Sequence, residues 1–567
     1  MNPLKKYYLI ISLFLCCLFI NSALAQDLNA LVTKLQQAVT PVQTGSKNYE
    51  ATLESPQPGT IKYAYDEIDQ KGNRTNFVYE FNLADIDPYA VRENTQKDVI
   101  SSVLAVKNKQ KLVKVYKNKE VQSYDDLVVI YASNIESARN ISDLVKKAIP
   151  PAEKVAASRL KVSGYDGMIT WLGNNVKDVT LGTKSIGQFI SKFDEPGTLL
   201  LRQRETDSKG AVETEYTFNL ADINVNSVMF KVAGNKFAIT MQTLQKAKYI
   251  GVMRAGERRP YVDDITINTN NVDEARDLKT VFTLLIPLAV EKVKASMPAA
   301  TTEKEALTKL KTYAGNVSLG PRQYEQTMDQ QCACTFTQIE KDAKTTTSHV
   351  YQFNWMDLNP VSSVIDVSGE KVFLDLQMNN KDKLIKHEKN DKHDGYDSEF
   401  KIYFSSIENA RRAKVLADKA IEKCASSYKD PFPADAKSVV TWLRNNIKDV
   451  TNDDVTLKQG LELVEDGNVN KLKYTRTELN SKGSGAVEVY EFNLSDLNPL
   501  SVQTDVKLKW LYISVEADFK SKIIKYYKDG KIQPYAAKID FAVSDTEQAR
   551  AVSNALKKGI KGVKPAK

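Results

Sequence analysis

The sequence predicts an α+β protein of four tandem repeats, each an N-terminal helix, about seven antiparallel strands and a capped C-terminal helix. Three observations predict it. A motif of the form Tyr-x-Phe-Asn-x-x-Asp occurs four times, at 79–85, 216–222, 351–357 and 490–496. Every copy is followed 45 residues later by a tyrosine (Tyr124, Tyr261, Tyr396, Tyr535) and 60 residues later by an arginine (Arg139, Arg276, Arg411, Arg550). The 567-residue chain exceeds what one core serves, and the repeat period of 135 to 139 residues is the usual size of a domain rather than of a solenoid unit. Repeat domains are therefore placed at 26–152, 165–296, 303–425 and 435–567.

The elements are clearest in the fourth repeat. Val439, Val440, Trp442, Leu443 and Ile447 fall at helical spacing and open it with a short amphipathic helix. Candidate strands follow at 461–464, 471–478, 486–494, 501–508, 510–517, 523–528 and 535–541. Gly483, Gly485 and Asp529-Gly530 supply tight turns, which implies an antiparallel meander. A helix closes each repeat, with Ser133, Asn270, Ser405 and Ser544 as candidate N-caps and an acid three residues on (Glu136, Asp273, Glu408, Glu547) completing a capping box. Ala549, Val552, Ala555, Leu556 and Ile560 form its apolar face.

Short antiparallel strands closed by one C-terminal amphipathic helix resemble the pleckstrin-homology (PH-like) superfold, from the first strand of each repeat onward. The resemblance is one of element order and implies a bent, partly open barrel plugged by that helix. A plain α+β sandwich with helices on one face is the competing arrangement. Repeats one and three share Ser-x-Ile-Glu-x-Ala-Arg (133–139, 405–411). Repeats two and four share Thr-Trp-Leu-x-Asn-Asn-x-Lys-Asp-Val (170–179, 441–450), as a duplicated pair would. The joints at 150–164, 297–303 and 426–434 are rich in Pro, Ala, Ser and charge, and are expected to allow limited swivelling.

The N-terminus reads as a secretory signal at 1–25: Lys5 and Lys6, an apolar run from Tyr7 to Ile20, then Ala23-Leu24-Ala25, with the mature chain starting at Gln26. Leu15 before Cys16 and Cys17 argues against a lipoprotein anchor. No later apolar run reaches the length of a membrane span; the nearest, 281–290, holds Pro287. The chain is expected to be periplasmic or extracellular. Its formal charge of +8 is dispersed among interleaved acids, which argues against nucleic acid as a partner.

The paired rings of Tyr-x-Phe share one strand face and read as core, and the following Asn suits an Asx turn. Asp85, Asp222, Asp357 and Asp496 each precede Arg139, Arg276, Arg411 and Arg550 by 54 residues. They are expected to form partly buried pairs docking each closing helix on the turn that ends the motif strand; four charged-ligand sites are the alternative. The three histidines, His349, His387 and His393, lie in the third repeat. His387, Asp391, His393 and Asp394 match no established metal spacing, and a solvated loop is expected. The mature chain keeps Cys332, Cys334 and Cys424; one of the first two could bridge to Cys424 near the end of the closing helix. Trp171 and Trp442, at matching helix positions, read as anchors on their own repeat or as interaction residues. No hydrolase, phosphate-loop or calcium-loop motif occurs. Catalytic, metal and cofactor residues are therefore expected to be none. The expected role is non-catalytic binding: a scaffold contacting protein partners, or a binder of an envelope lipid or glycan through a pocket in each repeat; an enzyme of unfamiliar type, which would need a cleft with strongly shifted acids in the third repeat, is the remaining alternative.

Overall fold

The computed structural model of the protein describes residues 27–122, 124–233, 236–433, 435–452, 455–479, 483–507 and 510–564. The leader read at 1–25, the mature start at Gln26, the joint end Ala434, and Ser481, Lys482 and Leu508 of the fourth repeat lie outside them. The chain divides after Ser296 into two compact units, each holding two repeats.

The first repeat shows the plan. Helix α1 (27–38) sets Leu28, Val32 and Leu35 into the core. Nine strands follow: β1 (Val42–Gln43), β2 (Lys47–Gln57), β3 (Thr60–Asp69), β4 (Arg74–Asn82), β5 (Arg92–Gln96), β6 (Val99–Ala105), β7 (Lys114–Lys117), β8 (Glu120–Val121) and β9 (Leu127–Ala132). Helix α2 (Ile135–Arg159) closes the repeat. The strands form a six-stranded sheet, β1-β2-β3-β4-β7-β8, and a three-stranded sheet, β5-β6-β9, and all three later repeats repeat this arrangement.

Two expectations need correction. Among the described residues each repeat has nine strands rather than about seven: in the fourth repeat Val450–Asn452 is an additional strand, and Lys531–Ala536 and Lys538–Val543 are two strands on different sheets. Nor is the order a meander, because β4 pairs with β7 and the chain first makes β5 and β6 in the other sheet. The tyrosine motif causes this detour. Asn82 Oδ1 accepts from the Ala84 N–H at 2.9 Å, starting a 3₁₀ turn at Leu83–Asp85 that carries the chain off the first sheet. Asn219 and Asn354 cap their turns in the same way. In the fourth repeat Asn470 takes over, accepting from the Ser495 N–H at 2.7 Å.

Just before β3, Gly59 accepts from the Leu83 N–H, and Gly197 does so from Leu220. At Gly197 (φ +80°) a Cβ would lie 2.5 Å from Asn219 Oδ1 and 2.6 Å from a Val293 methyl; at Gly59 (φ +84°) the nearest atom is 3.4 Å away. Gly197→Ala is therefore expected to cost about 1–3 kcal/mol in urea unfolding, and Gly59→Ala distinctly less, since it meets backbone strain with little overlap.

The closing helices begin one residue later than the sequence suggests. Asn134, Asn271, Ser406 and Asp545 are the N-caps, each accepting from the N–H three residues on. The acids expected at the third helical position sit at the second, where Glu136, Asp273 and Glu547 instead hold the arginine three residues later. The expected joint from Pro150 is also largely helix. Helix α2 runs through Pro150-Pro151 because Ile149 and Ala152 are packed into the core on either side, outweighing the lost backbone bonds. The remaining helices are α3 (Tyr165–Asn175), α4 (Val272–Ala295), α5 (Glu303–Tyr313), α6 (Ile407–Ser427), α7 (Ala436–Asn446) and α8 (Thr546–Val563). The apolar run 281–290 lies inside α4. Among the described residues no helix is long and apolar enough to cross a membrane.

A glutamine, buried in the second and third repeats and half-buried in the fourth, stitches the two sheets of these three repeats together. Gln326 donates to the Gly315 and Tyr403 carbonyls at 2.9 Å and accepts from the Tyr403 N–H at 2.8 Å. Gln188 and Gln459 do the same with Asn268 and Ala542. In the first repeat Ala51 stands at this position, and Tyr63 Oη accepts from the Tyr131 N–H instead. Asp178 and Asp449, from the Lys-Asp-Val of the shared helix motif, orient the glutamines by accepting from their backbone N–H at 2.9 Å.

Candidate functional site at the seam between paired repeats

The repeated aspartates and arginines pair across repeats. Arg276, on α4 of the second repeat, donates through Nη2 to Asp85 Oδ2 at 2.6 Å and through Nε at 3.2 Å, and Asp85 belongs to the motif turn of the first repeat. In the second unit Arg550, on α8, donates to Asp357 three times at 2.6–2.9 Å. Each closing helix does pack on its own repeat's motif turn, but the expectation that its arginine pairs with that turn's aspartate is corrected for Arg276 and Arg550. All four turns carry the aspartate and all four helices the arginine at the same separation, so spacing along the chain cannot select the partner. Packing does: Phe230 and Val272 of the second repeat lie against the first repeat's core.

Both pairs are buried. Burial works against the charge of Arg276 and Arg550, but the adjacent carboxylates outweigh it and hold both guanidiniums above the usual arginine value. Burial also pushes the Asp357 carboxyl upward; the three hydrogen bonds it accepts from Arg550 favour the ionised pair. Asp273 and Glu547 brace the arginines from within their own helices. The motif Asn and the later Tyr contribute as well. Asn354 Nδ2 donates to Glu547 at 3.2 Å, and the Tyr124 ring meets Phe237 of the second repeat edge-on at 5.0 Å.

The other members are placed differently. Arg139 is exposed and bound to Glu136 at 2.7 Å. Asp222 is buried and Arg411 half-buried. Asp496 accepts from Asn493 Nδ2 at 3.0 Å.

Beside the Asp85–Arg276 pair lies a cavity of about 370 Å³. Phe230, Leu112 and Leu284 give it apolar walls, and Gln110, Lys279, Lys107, Glu153, Thr280 and Thr283 add polar groups beside the pair. Gln110 is buried with no partner for its Nε2 among the described residues. The Lys279 ammonium stands 4.7 Å over the Phe230 ring, and burial lowers its pKa. Lys107 is occupied, donating to the Ala84 carbonyl at 2.7 Å and to Glu153. The cavity suits an apolar group bearing a carbonyl or carboxylate oxygen. Its lining is not repeated in the second unit, where Asp382, Ser553 and Lys558 occupy the positions of Gln110, Lys279 and Leu284. There Asp382 accepts from the Thr504 N–H, and Asp430 accepts from Asn554 on α8.

In the third repeat Cys332 and Cys424 form a disulfide with Cα atoms 5.6 Å apart. Cys334 is a buried thiol whose pKa burial pushes up to about 12. Asp391, His393 and Asp394 are exposed at the hairpin, as expected, but His387 is not part of a solvated loop. His387 is buried on its strand, stacked on Tyr351 at 4.6 Å, 3.0 Å from His349 Nδ1 and 3.1 Å from Asp397. Inward-facing strand positions, invisible in a short polar stretch, account for this. Among the described residues no group of three or more His, Cys, Asp or Glu side chains is placed to hold a metal.

Burial and the neighbouring His387 depress the His349 pKa below 6.5. The unfolded chain therefore binds the proton more readily, and this contribution to stability is present at neutral pH and lost as pH falls below about 6.5. In urea unfolding, residues 297–567 are expected to lose more stability between pH 7.5 and 5 than they do in His349→Gln.

Trp171 is half-buried against the second repeat's core, and Trp442 packs 5.1 Å from Phe432. The motif rings Phe81, Phe218, Phe353 and Phe492 are all buried. Sequence reasoning missed the glutamine stitch, although Gln188, Gln326 and Gln459 each lie ten residues after Asp178, Asn316 or Asp449.

No family model and no curated protein sequence matches the chain. One solved structure, PorZ, described as an essential bacterial surface component of the type-IX secretion system of Porphyromonas gingivalis, aligns at 8% identity over 88% of this chain with a TM-score of 0.08. The aligned part spans about half of that chain (52%), and a likeness of this size carries no argument about fold or role.

Proposed function

We propose that the protein is an exported, non-catalytic binding scaffold of the cell envelope that engages protein partners. The observation that carries this reading is the use of the repeated polar residues: Asp85 with Arg276 and Asp357 with Arg550 join repeats into two-repeat blocks. Such blocks present linked surfaces, and linked weak sites raise avidity. The Cys332–Cys424 disulfide suits an oxidising compartment and supports export. The element order of strands followed by one closing helix supports a PH-like reading, from which the six-plus-three strand arrangement departs.

A second reading, binding of an envelope lipid or glycan, draws support from the cavity beside Arg276 with its unpartnered Gln110. The differing lining in the second unit favours one such site over a pocket in each repeat. Cross-linking in intact cells, followed by identification of the captured species, tests both. Protein adducts through the surfaces of the repeats support the scaffold. A thermal shift with lipid or glycan that Gln110→Leu abolishes, without protein adducts, replaces it with the second reading.

A further inference from the structure

We infer that the protein associates head to tail, the fourth repeat of one copy docking on the first repeat of the next through the same seam that joins repeats within each unit. The argument rests on seam geometry and is independent of the proposed envelope role. Within each unit, the motif turn of one repeat receives the arginine near the start of the next repeat's closing helix. The turn of the fourth repeat carries the same aspartate, Asp496, bound to its neighbour Asn493. At the other end of the chain Arg139 is 60% exposed and braced by Glu136, as Asp273 and Glu547 brace the two buried arginines.

The surroundings of Asp496 point the same way. Leu112 and Leu384, 27 residues after Asp85 and Asp357, are 4% and 7% exposed, whereas Ile523, at the same distance from Asp496, is 45% exposed. Tyr535, the counterpart of the Tyr124 that meets Phe237 across the seam, is also exposed. Phe519, on the adjoining turn, is 98% exposed and held at φ +56°. An aromatic in a left-handed turn with its ring in solvent is an unfavourable choice for an unpartnered surface. The fourth repeat thus carries its aspartate together with apolar side chains left exposed at positions matching those that the first and third repeats bury or use at the seam, and the first repeat presents its arginine. A contact between two different faces joins copies head to tail into rings or open chains, so species larger than a dimer are the expected product.

The test is sedimentation velocity of the chain lacking residues 1–25 across a wide concentration series, with Asp496→Arg, Arg139→Glu and Ile523→Asp alongside. The unmodified chain is expected to form progressively larger species. Each charge reversal should weaken association by about 100-fold or more, the effect of stranding one charge in a closed seam. Arg139 and Ile523 are exposed and Asp496 is half-buried, and unchanged urea midpoints will show that folding is intact. A mixture of the two reversal variants, which retain one intact face of each kind, should form mixed complexes. A chain that stays monomeric throughout, association indifferent to both reversals, or a mixture without mixed complexes would overturn the inference.

Discussion

Asp357→Asn is expected to destabilise residues 297–567 by about 3–5 kcal/mol, because it strands the buried Arg550 guanidinium between two repeats. Glu547 still braces that guanidinium, which places the loss toward the lower end. Arg550→Met should cost as much or more, leaving the Asp357 carboxylate buried without its donors. The double variant Asp357→Leu with Arg550→Met should be less damaging than the two single losses added together, since an apolar pair of similar volume strands no charge. Urea unfolding of the four proteins measures this. Additive losses would mean that the two side chains act separately, and that the repeats are held by apolar contacts alone. Asp85→Asn should have a parallel effect confined to residues 27–296, where Arg276 keeps Asp273.

Reduction of the Cys332–Cys424 disulfide should lower the stability of the second unit by about 4–5 kcal/mol, since it releases a loop spanning 92 residues of the unfolded chain. The first unit has no described cysteine and should be untouched. Denaturation should therefore show one transition that moves with reductant and one that does not. Cys334 is a built-in reporter: buried and held as a thiol, it should resist alkylation in the native protein and become reactive only when the third repeat opens. Labelling at Cys334 that tracks the reductant-sensitive transition would tie that transition to the third repeat. A single shared transition, unmoved by reductant, would contradict the assignment.

Local regularities carried much of this architecture. The four Tyr-x-Phe-Asn-x-x-Asp motifs, the opening helix at Trp442 and the amphipathic closing helix through Ala549, Val552 and Leu556 were all legible, because each is encoded by neighbours a few residues apart. Cap positions slipped by one residue at Ser133 and Asn270, since a serine or asparagine on either side of the true cap offers the same oxygen. The strand count fell short because Val450–Asn452 is too brief to show alternation, and because Tyr535 and Phe541 lie on adjacent strands with almost no turn between them.

Sequence by itself determined the repeat number, the α+β class, the Asx turn at the end of the motif strand and the residue types at the seam. Only the tertiary structure decided that β4 pairs with β7, that Gln188, Gln326 and Gln459 bind backbone of the opposite sheet, and that Arg276 answers Asp85 and Arg550 answers Asp357. The reason is degeneracy. Four aspartates and four arginines in identical local settings have the same intrinsic affinity for one another, so spacing along the chain leaves every pairing open. The choice falls to whichever apolar surfaces meet, and Phe230 against the first repeat's core brings Arg276 to Asp85.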